Sequence, residues 1–214
     1  MNVVGWAASF FKDGGPFMFL ILGVGVLAVA IGIERSVVIL SAGRVRVEKL
    51  LSRVVGALRS GHLDKAVAAC RGGNAPLMRV GAVILDQPGG NSTEQSLLNS
   101  ADAAASVHLA PLTRRLSYLV MLANVATLLG LLGTIFGLIY AFSAVNAADP
   151  SQRSALLAQG IAQALNTTAF GLIIAVPCLA LHGYLVSQVE SISDQVEEFS
   201  SRLIALVVRK RDLV

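Results

Sequence analysis

The chain has 214 residues, 55% of them hydrophobic and only 14% charged, with a mean hydropathy of +0.70. Soluble domains carry about 25% charged residues, so an ordinary water-soluble globular protein is excluded. The formal charge of +4 and pI near 9.4 come without basic and aromatic residues interleaving anywhere, which leaves nucleic-acid binding without support.

Residues 3–11 form a short apolar and aromatic patch with Trp6, broken by Gly14, Gly15 and Pro16. Residues 1–15 therefore read as an interfacial segment with Trp6 at headgroup level. Residues 14–33 carry no charge and end at Glu34 and Arg35, after which the chain is apolar again to Ala42. About 20 helical residues cross a hydrocarbon core of about 30 Å, so residues 16–42 predict a first transmembrane helix. A cleaved secretory signal fits poorly: Lys12 and Asp13 cancel, the apolar run is too long, and Glu34 and Arg35 make no small-residue cleavage site.

Residues 43–115 predict a helical region on one side of the membrane. Val47, Leu50, Leu51, Val54, Val55 and Leu58 recur at helical spacing, giving an amphipathic helix from Arg44 to about Leu58 that Ser60 and Gly61 break. Two shorter helices follow, over residues 62–70 and 75–85, stopped by residues 72–74 and 88–91. Ser92 or Thr93 then caps a helix that begins near Glu94 and runs into the second span, with Pro111 as the expected kink.

Residues 116–148 and 154–189 contain no Asp, Glu, Lys or Arg. They predict transmembrane helices over residues 116–145 and 155–187, joined by a polar hairpin over residues 146–154. The tail, residues 188–214, is amphipathic, with Val189, Ile192, Val196, Phe199, Leu203 and Leu206 at spacings of three and four; it predicts an extension of the third helix. No strand signal appears. The fold expected is an all-α membrane protein.

Basic residues set the orientation. Of 17 Lys and Arg, only Lys12 and Arg153 lie in the N-terminal arm and the hairpin. Arg44, Arg46 and Lys49 flank the first span, and Arg114 and Arg115 the second, so the middle segment and tail are expected inside, the N-terminus and hairpin outside. Cys70 and Cys178 fall on different parts of this arrangement and are expected as unpaired thiols acting as small apolar residues. His62, His108 and His182 are isolated, without metal-ligand spacing. No nucleophile and base set, metal cluster or phosphate loop appears, so neither enzymatic chemistry nor a cofactor is expected.

Function is sought where polarity sits at bilayer depth, because an unsatisfied polar group in hydrocarbon costs several kcal/mol and so faces protein or water. In the second span Gly130, Gly133 and Gly137 form one smooth face that lets helices approach closely, expected to serve contacts in a closed homo-oligomer. Thr127 and Thr134, seven apart, share a side of that helix; the plain alternative is that their hydroxyls bond back to their own helix. In the third span Gln163, Asn166 and Thr167 cluster on one side, and Thr168, turned about 100°, borders them. Gly171 closes that stretch. Two spans joined by a hairpin, each with a polar side, can build a narrow polar seam.

The stretch GLLGTIFG (residues 130–137), the polar hairpin, and GIAQALNTTAFGLIIAVP (residues 160–177) together resemble the signature of the ExbB/TolQ/MotA proton-channel family, closest to its ExbB and TolQ branch. The GGPFMFLILG run and the exit at Glu34 and Arg35 are similar to that family's usual beginning, so the resemblance covers most of the chain. It implies a homopentamer of three-span subunits, surrounded by membrane lipid, with long cytoplasmic helical extensions. It also implies a central pore holding the single spans of two copies of an ExbD/TolR-like partner, and ion flow that moves the partner to do work in the periplasm. Thr134 and Thr168 fall on the family's two pore threonines.

Two departures accompany the resemblance. Gln163 stands where ExbB and TolQ usually carry a glutamate, and Thr127 where they often have a proline. An amide does not titrate, and with Gln163 no Asp or Glu remains in any of the three spans, so a carboxylate for protons has to come from a partner. Hydroxyl and amide oxygens are also Na⁺ ligands, which leaves the ion open. A non-conducting oligomeric scaffold is the competing expectation.

Overall fold

The computed structural model describes residues 14–87 and 93–211. The interfacial segment with Trp6, the turn at residues 88–91 and the alternative cap Ser92 lie outside the described residues. Within them all regular structure is helical: α1 (Phe17–Ala42), α2 (Val47–Arg59), α3 (Leu63–Arg71), α4 (Pro76–Leu85), α5 (Glu94–Thr113), α6 (Leu116–Ala147) and α7 (Arg153–Arg211). Among the described residues three helical stretches are long and apolar enough to cross a membrane, the number expected from hydropathy.

The chain divides into two compact units, one of residues up to Ile33 with Arg115–Gly183, the other of Glu34–Arg114 with the chain from Tyr184 on. In the first, α1 packs through a single stripe in which Met18, Ile21, Gly25, Ala28 and Gly32 alternate at spacings of three and four. A Cβ added at Gly25 would lie 2.7 Å from the Ile174 side chain, and one at Gly32 would lie 2.8 Å from Leu181. Small residues on α1 thus let large ones on α7 close against it. The core here is correspondingly fine-grained: Ala28, Leu122, Ala123, Ala175 and Cys178. Large apolar side chains such as Phe19, Val26, Leu128, Ile135 and Ile173 point outward, as they must where the surroundings are hydrocarbon.

The second unit has a conventional interior. Val47, Leu50, Val54 and Leu58 of α2, Cys70 of α3, Val80 and Ile84 of α4, Leu97 and Ala101 of α5 and Val196, Phe199 and Leu203 of α7 bury one another. Its turns follow the sequence signals: Gly61 takes φ 78° just after α2, Pro76 begins α4, and the Thr93 hydroxyl accepts the Ser96 amide at 3.2 Å to cap α5. Cys70 is fully buried, and desolvation pushes its thiol up to about 11.

One expectation is corrected. The helix from Glu94 does not run on into the second span with a kink at Pro111; α5 ends at Thr113 and α6 starts afresh at Leu116, with Arg115 left-handed at φ 66° between them. The reason is at the end of α5. Pro111 has no N–H to donate, and a helix leaves its final carbonyls without intrahelical partners. The buried Arg35 guanidinium supplies them, donating Nη1 to Pro111 O at 3.2 Å and Arg114 O at 3.0 Å, while Nη2 pairs with Glu34 at 2.8 Å. Of the two residues that mark the end of the apolar run in the sequence, Arg35 therefore caps another helix and Glu34 holds its guanidinium.

Gly81 tests the second unit's packing, because an added Cβ would lie 2.8 Å from the Phe199 ring and 3.0 Å from Cys70 Sγ. Gly81→Leu should lower stability by about 1–3 kcal/mol through overpacking. Cys70, protonated and enclosed in the parent, should then react faster with a thiol reagent at pH 8; labelling of folded protein against urea-unfolded protein checks both. Since the buried thiol resists ionisation that the unfolded one undergoes, stability should fall as pH rises from about 9 to about 11.

Candidate functional site in the α6 and α7 pair

Neither α6 nor α7 has a charged residue in its apolar part, and their contact is made by their smallest side chains. A Cβ on Gly130 would lie 3.2 Å from Thr168 Cα and 3.3 Å from Thr167 O; on Gly137, 3.1 Å from the Ala164 methyl; on Gly171, 2.6 Å from Ala126 O. Gly133 faces the Thr167 side chain and Gly160 faces Ala141. The two helices are antiparallel with backbone nearly on backbone. The glycine face expected at contacts between subunits is occupied inside the chain, by α7. The matching signal on α7 was present in the sequence, as Gly160, Ala164, Thr167 and Gly171 at spacings of four, three and four.

This closeness decides what each hydroxyl does. Thr168, half-buried, donates across the contact to Gly130 O at 3.0 Å. Thr167 is fully enclosed; its Oγ1 lies 3.0 Å from Gly14 O and 2.8 Å from Gln163 O, so its one proton serves either the chain before α1 or its own helix. Thr127 and Thr134 bond back to Ala123 O at 3.0 Å and Leu131 O at 2.6 Å. Asn166 is half-exposed. Four of the six polar residues thus divide: Thr168 bridges the two spans, Thr167 anchors the approach to α1, and Thr127 and Thr134 satisfy their own helix.

Gln163 lies elsewhere. Together with Gln159, Tyr140, Phe136, Phe17 and the 14–16 backbone it lines a cavity of about 490 Å³. The Phe17 and Phe136 rings meet there at 5.2 Å, tilted by 34°, and the Gln163 amide abuts Gly15, whose φ of 73° only a residue without Cβ adopts freely. Gln159, Tyr140 and the aromatic pair had no distinguishing sequence pattern, since they come from three separate stretches. Among the described residues the lining offers neutral donors and acceptors in an aromatic wall and no ionisable carboxylate.

A charge-free helical pair with a hydroxyl bridging its two backbones is a polar site within helices long and apolar enough to cross a membrane, and the class it defines is a multi-span membrane protein. Residues 74–198 match the model of the MotA/TolQ/ExbB proton channel family, and the chain belongs to that family. It is 26% identical over 198 residues to a putative biopolymer transport protein ExbB homolog of Methanothermobacter thermautotrophicus, covering 92% of this chain and 69% of that one. It is 32% identical over 168 residues to the putative biopolymer transport protein ExbB-like 3 of Synechocystis sp., covering 78% of each. It is 28% identical over 113 residues to the Tol-Pal system protein TolQ of Haemophilus influenzae, covering 53% of this chain and 49% of that protein.

Thr167→Val should cost about 1 kcal/mol, the scale of a hydrogen bond within a membrane, because it frees Gly14 O in an enclosed site. Thr127→Val, whose hydroxyl serves only its own helix at an exposed position, should cost less than half of that. Unfolding of the two variants in mixed micelles checks the difference.

Proposed function

We propose that this chain is the multi-span subunit of an ion-driven motor of the inner membrane. It assembles as a closed homo-oligomer, a pentamer on the family pattern, around a dimer of an ExbD/TolR-like single-span partner. The ion gradient is converted there into mechanical work on the cell envelope, whether transport, envelope maintenance or motility. The N-terminus and the hairpin between α6 and α7 face the periplasm, residues 43–115 and the C-terminal part of α7 the cytoplasm.

The observation that carries this reading is the Thr168 hydroxyl held against Gly130 O between two spans that contain no carboxylate. A hydroxyl that gives its proton to a backbone carbonyl still accepts, so Thr168 and Thr134 can receive a hydrogen bond from a partner's protonated carboxyl or from its waters without titrating themselves. Gln163, Asn166, Thr167 and Thr127 complete the polar set, and Gly130, Gly133, Gly137 and Gly171 hold the helices close enough for it to form. Proton transfer then depends on an acid from the partner. A non-conducting scaffold has one observation in its favour, the back-bonded hydroxyls of Thr127 and Thr134, which need nothing further.

Flux into liposomes separates the two. The chain alone should conduct neither H⁺ nor Na⁺, and adding the partner should create gradient-driven flux of one of them. The double variant Thr134→Val, Thr168→Val should abolish that flux, at least tenfold, with assembly intact by native mass spectrometry, since valine keeps the shape and removes the hydroxyl. Gln163→Glu should change the pH dependence of flux without being required for it. Normal flux in the double valine variant, or robust flux from the chain alone, would sink the mechanism.

A further inference from the structure

The second unit carries two charged flanks that no ion pair among the described residues uses. On α2, Arg46 at the N-cap, Lys49 and Arg53 are exposed at spacings of three and four, beside the buried stripe of Val47, Leu50 and Val54. On α7, Glu190, Asp194 and Glu197 are exposed at spacings of four and three, beside buried Val189 and Val196. Glu34 pairs with Arg35, Arg71 with Asp86 and Glu198 with Arg202, and none of these pairs uses these six side chains.

We propose that neighbouring copies of this chain join through these flanks, the basic row of α2 in one lying antiparallel along the acidic row of α7 in the next. In that register Arg53 meets Glu190, Lys49 meets Asp194 and Arg46 meets Glu197. The match is of spacing as well as sign: each row covers the same run of helix, about 10 Å long, and reversing one makes the four-then-three intervals coincide. The acidic row also borders a groove of about 490 Å³ between α5 and α7, where Glu197 and Asp102 share the wall with Ser193 and Ser201 and no basic residue intrudes. That leaves room for the long basic side chains of a neighbour and keeps the local field negative.

The two surfaces differ, so the contact is head to tail, and repeated through a rotation that closes it generates a ring. Exposed ion pairs contribute little one by one, and the three therefore fix register and direction around the ring more than they hold it together. This inference rests on the closed homo-oligomer proposed above and names the surface that closes it outside the apolar spans.

Cross-linking tests the contact in the full-length chain. Cys70 and Cys178 are buried, so they can stay in place. A variant with both Arg53→Cys and Glu190→Cys, oxidised in its own membranes, should give a ladder of covalent multimers up to the size of the ring on a denaturing gel, whereas either cysteine alone should give dimers at most. In a second arm, Lys49→Glu with Arg53→Glu should lower the ring fraction about tenfold at low salt, and adding Glu190→Lys with Asp194→Lys to the same chain should restore it. A parent that forms a ring by native mass spectrometry, but whose double-cysteine variant yields no ladder, overturns the contact and leaves the ring standing. So does a fourfold charge swap that fails to restore assembly. A monomeric parent overturns the ring itself, and with it this contact.

Discussion

The polar contact that joins the two charge-free spans depends on how closely α6 and α7 approach. Lipid tails are as apolar as leucine, so two helices in a bilayer gain little by hiding hydrophobic side chains from one another; contact has to come from dispersion between closely fitted surfaces and from hydrogen bonds. Gly130, Gly137 and Gly171, with added Cβ positions 2.6–3.2 Å from the opposite helix, are what permit that fit. At that separation a threonine hydroxyl reaches the facing backbone, as Thr168 reaches Gly130 O. A wider spacing would turn the same hydroxyl back onto its own helix, as happens at Thr127 and Thr134.

The same closeness explains the distribution of bulk. With glycine and alanine consumed by the contact, the leucines, isoleucines and phenylalanines of α6 and α7 are left on the outer faces, including Leu128, Leu131, Phe136, Leu165 and Ile173. These are the faces available to lipid, to other subunits and to a partner. In the second unit the logic is the ordinary aqueous one, with amphipathic helices burying one stripe each around Phe199 and Cys70. Where the apolar run of α1 ends, Arg35 joins chemistry to architecture: a buried guanidinium would be costly alone, but three contacts to Glu34, Pro111 and Arg114 offset the desolvation and finish α5.

For the proposed motor, the substitution that matters most is the amide at Gln163. It sits in an aromatic cavity against the start of α1 and away from the Thr168 bridge, so the polar groups of one subunit are split between two places. An amide in such a cavity can order water or bind a neutral group but cannot take up and release a proton. In the motor proposed above, a group that takes up and releases protons would come from the partner, with this subunit supplying fixed dipoles around it.

The sequence by itself determined the class, the presence of three apolar spans, the helix ends at Gly61 and Thr93, and the family, because hydrophobic length, turn residues and a paired motif are local properties that need no neighbour to be read. The polar residues of the candidate site were legible as a set for the same reason: a threonine or glutamine in the middle of a charge-free run is conspicuous. Their division of labour was not. Whether Thr167 is enclosed, Thr168 bridging and Gln163 in a separate cavity depends on which helix lies opposite, and a helical period fixes only angles about one axis. Likewise nothing in the order of residues tied Arg35 to carbonyls more than seventy positions away, or told that α5 would stop at Thr113. Those outcomes were decided by tertiary structure, through contacts between segments that only the packed helices bring together.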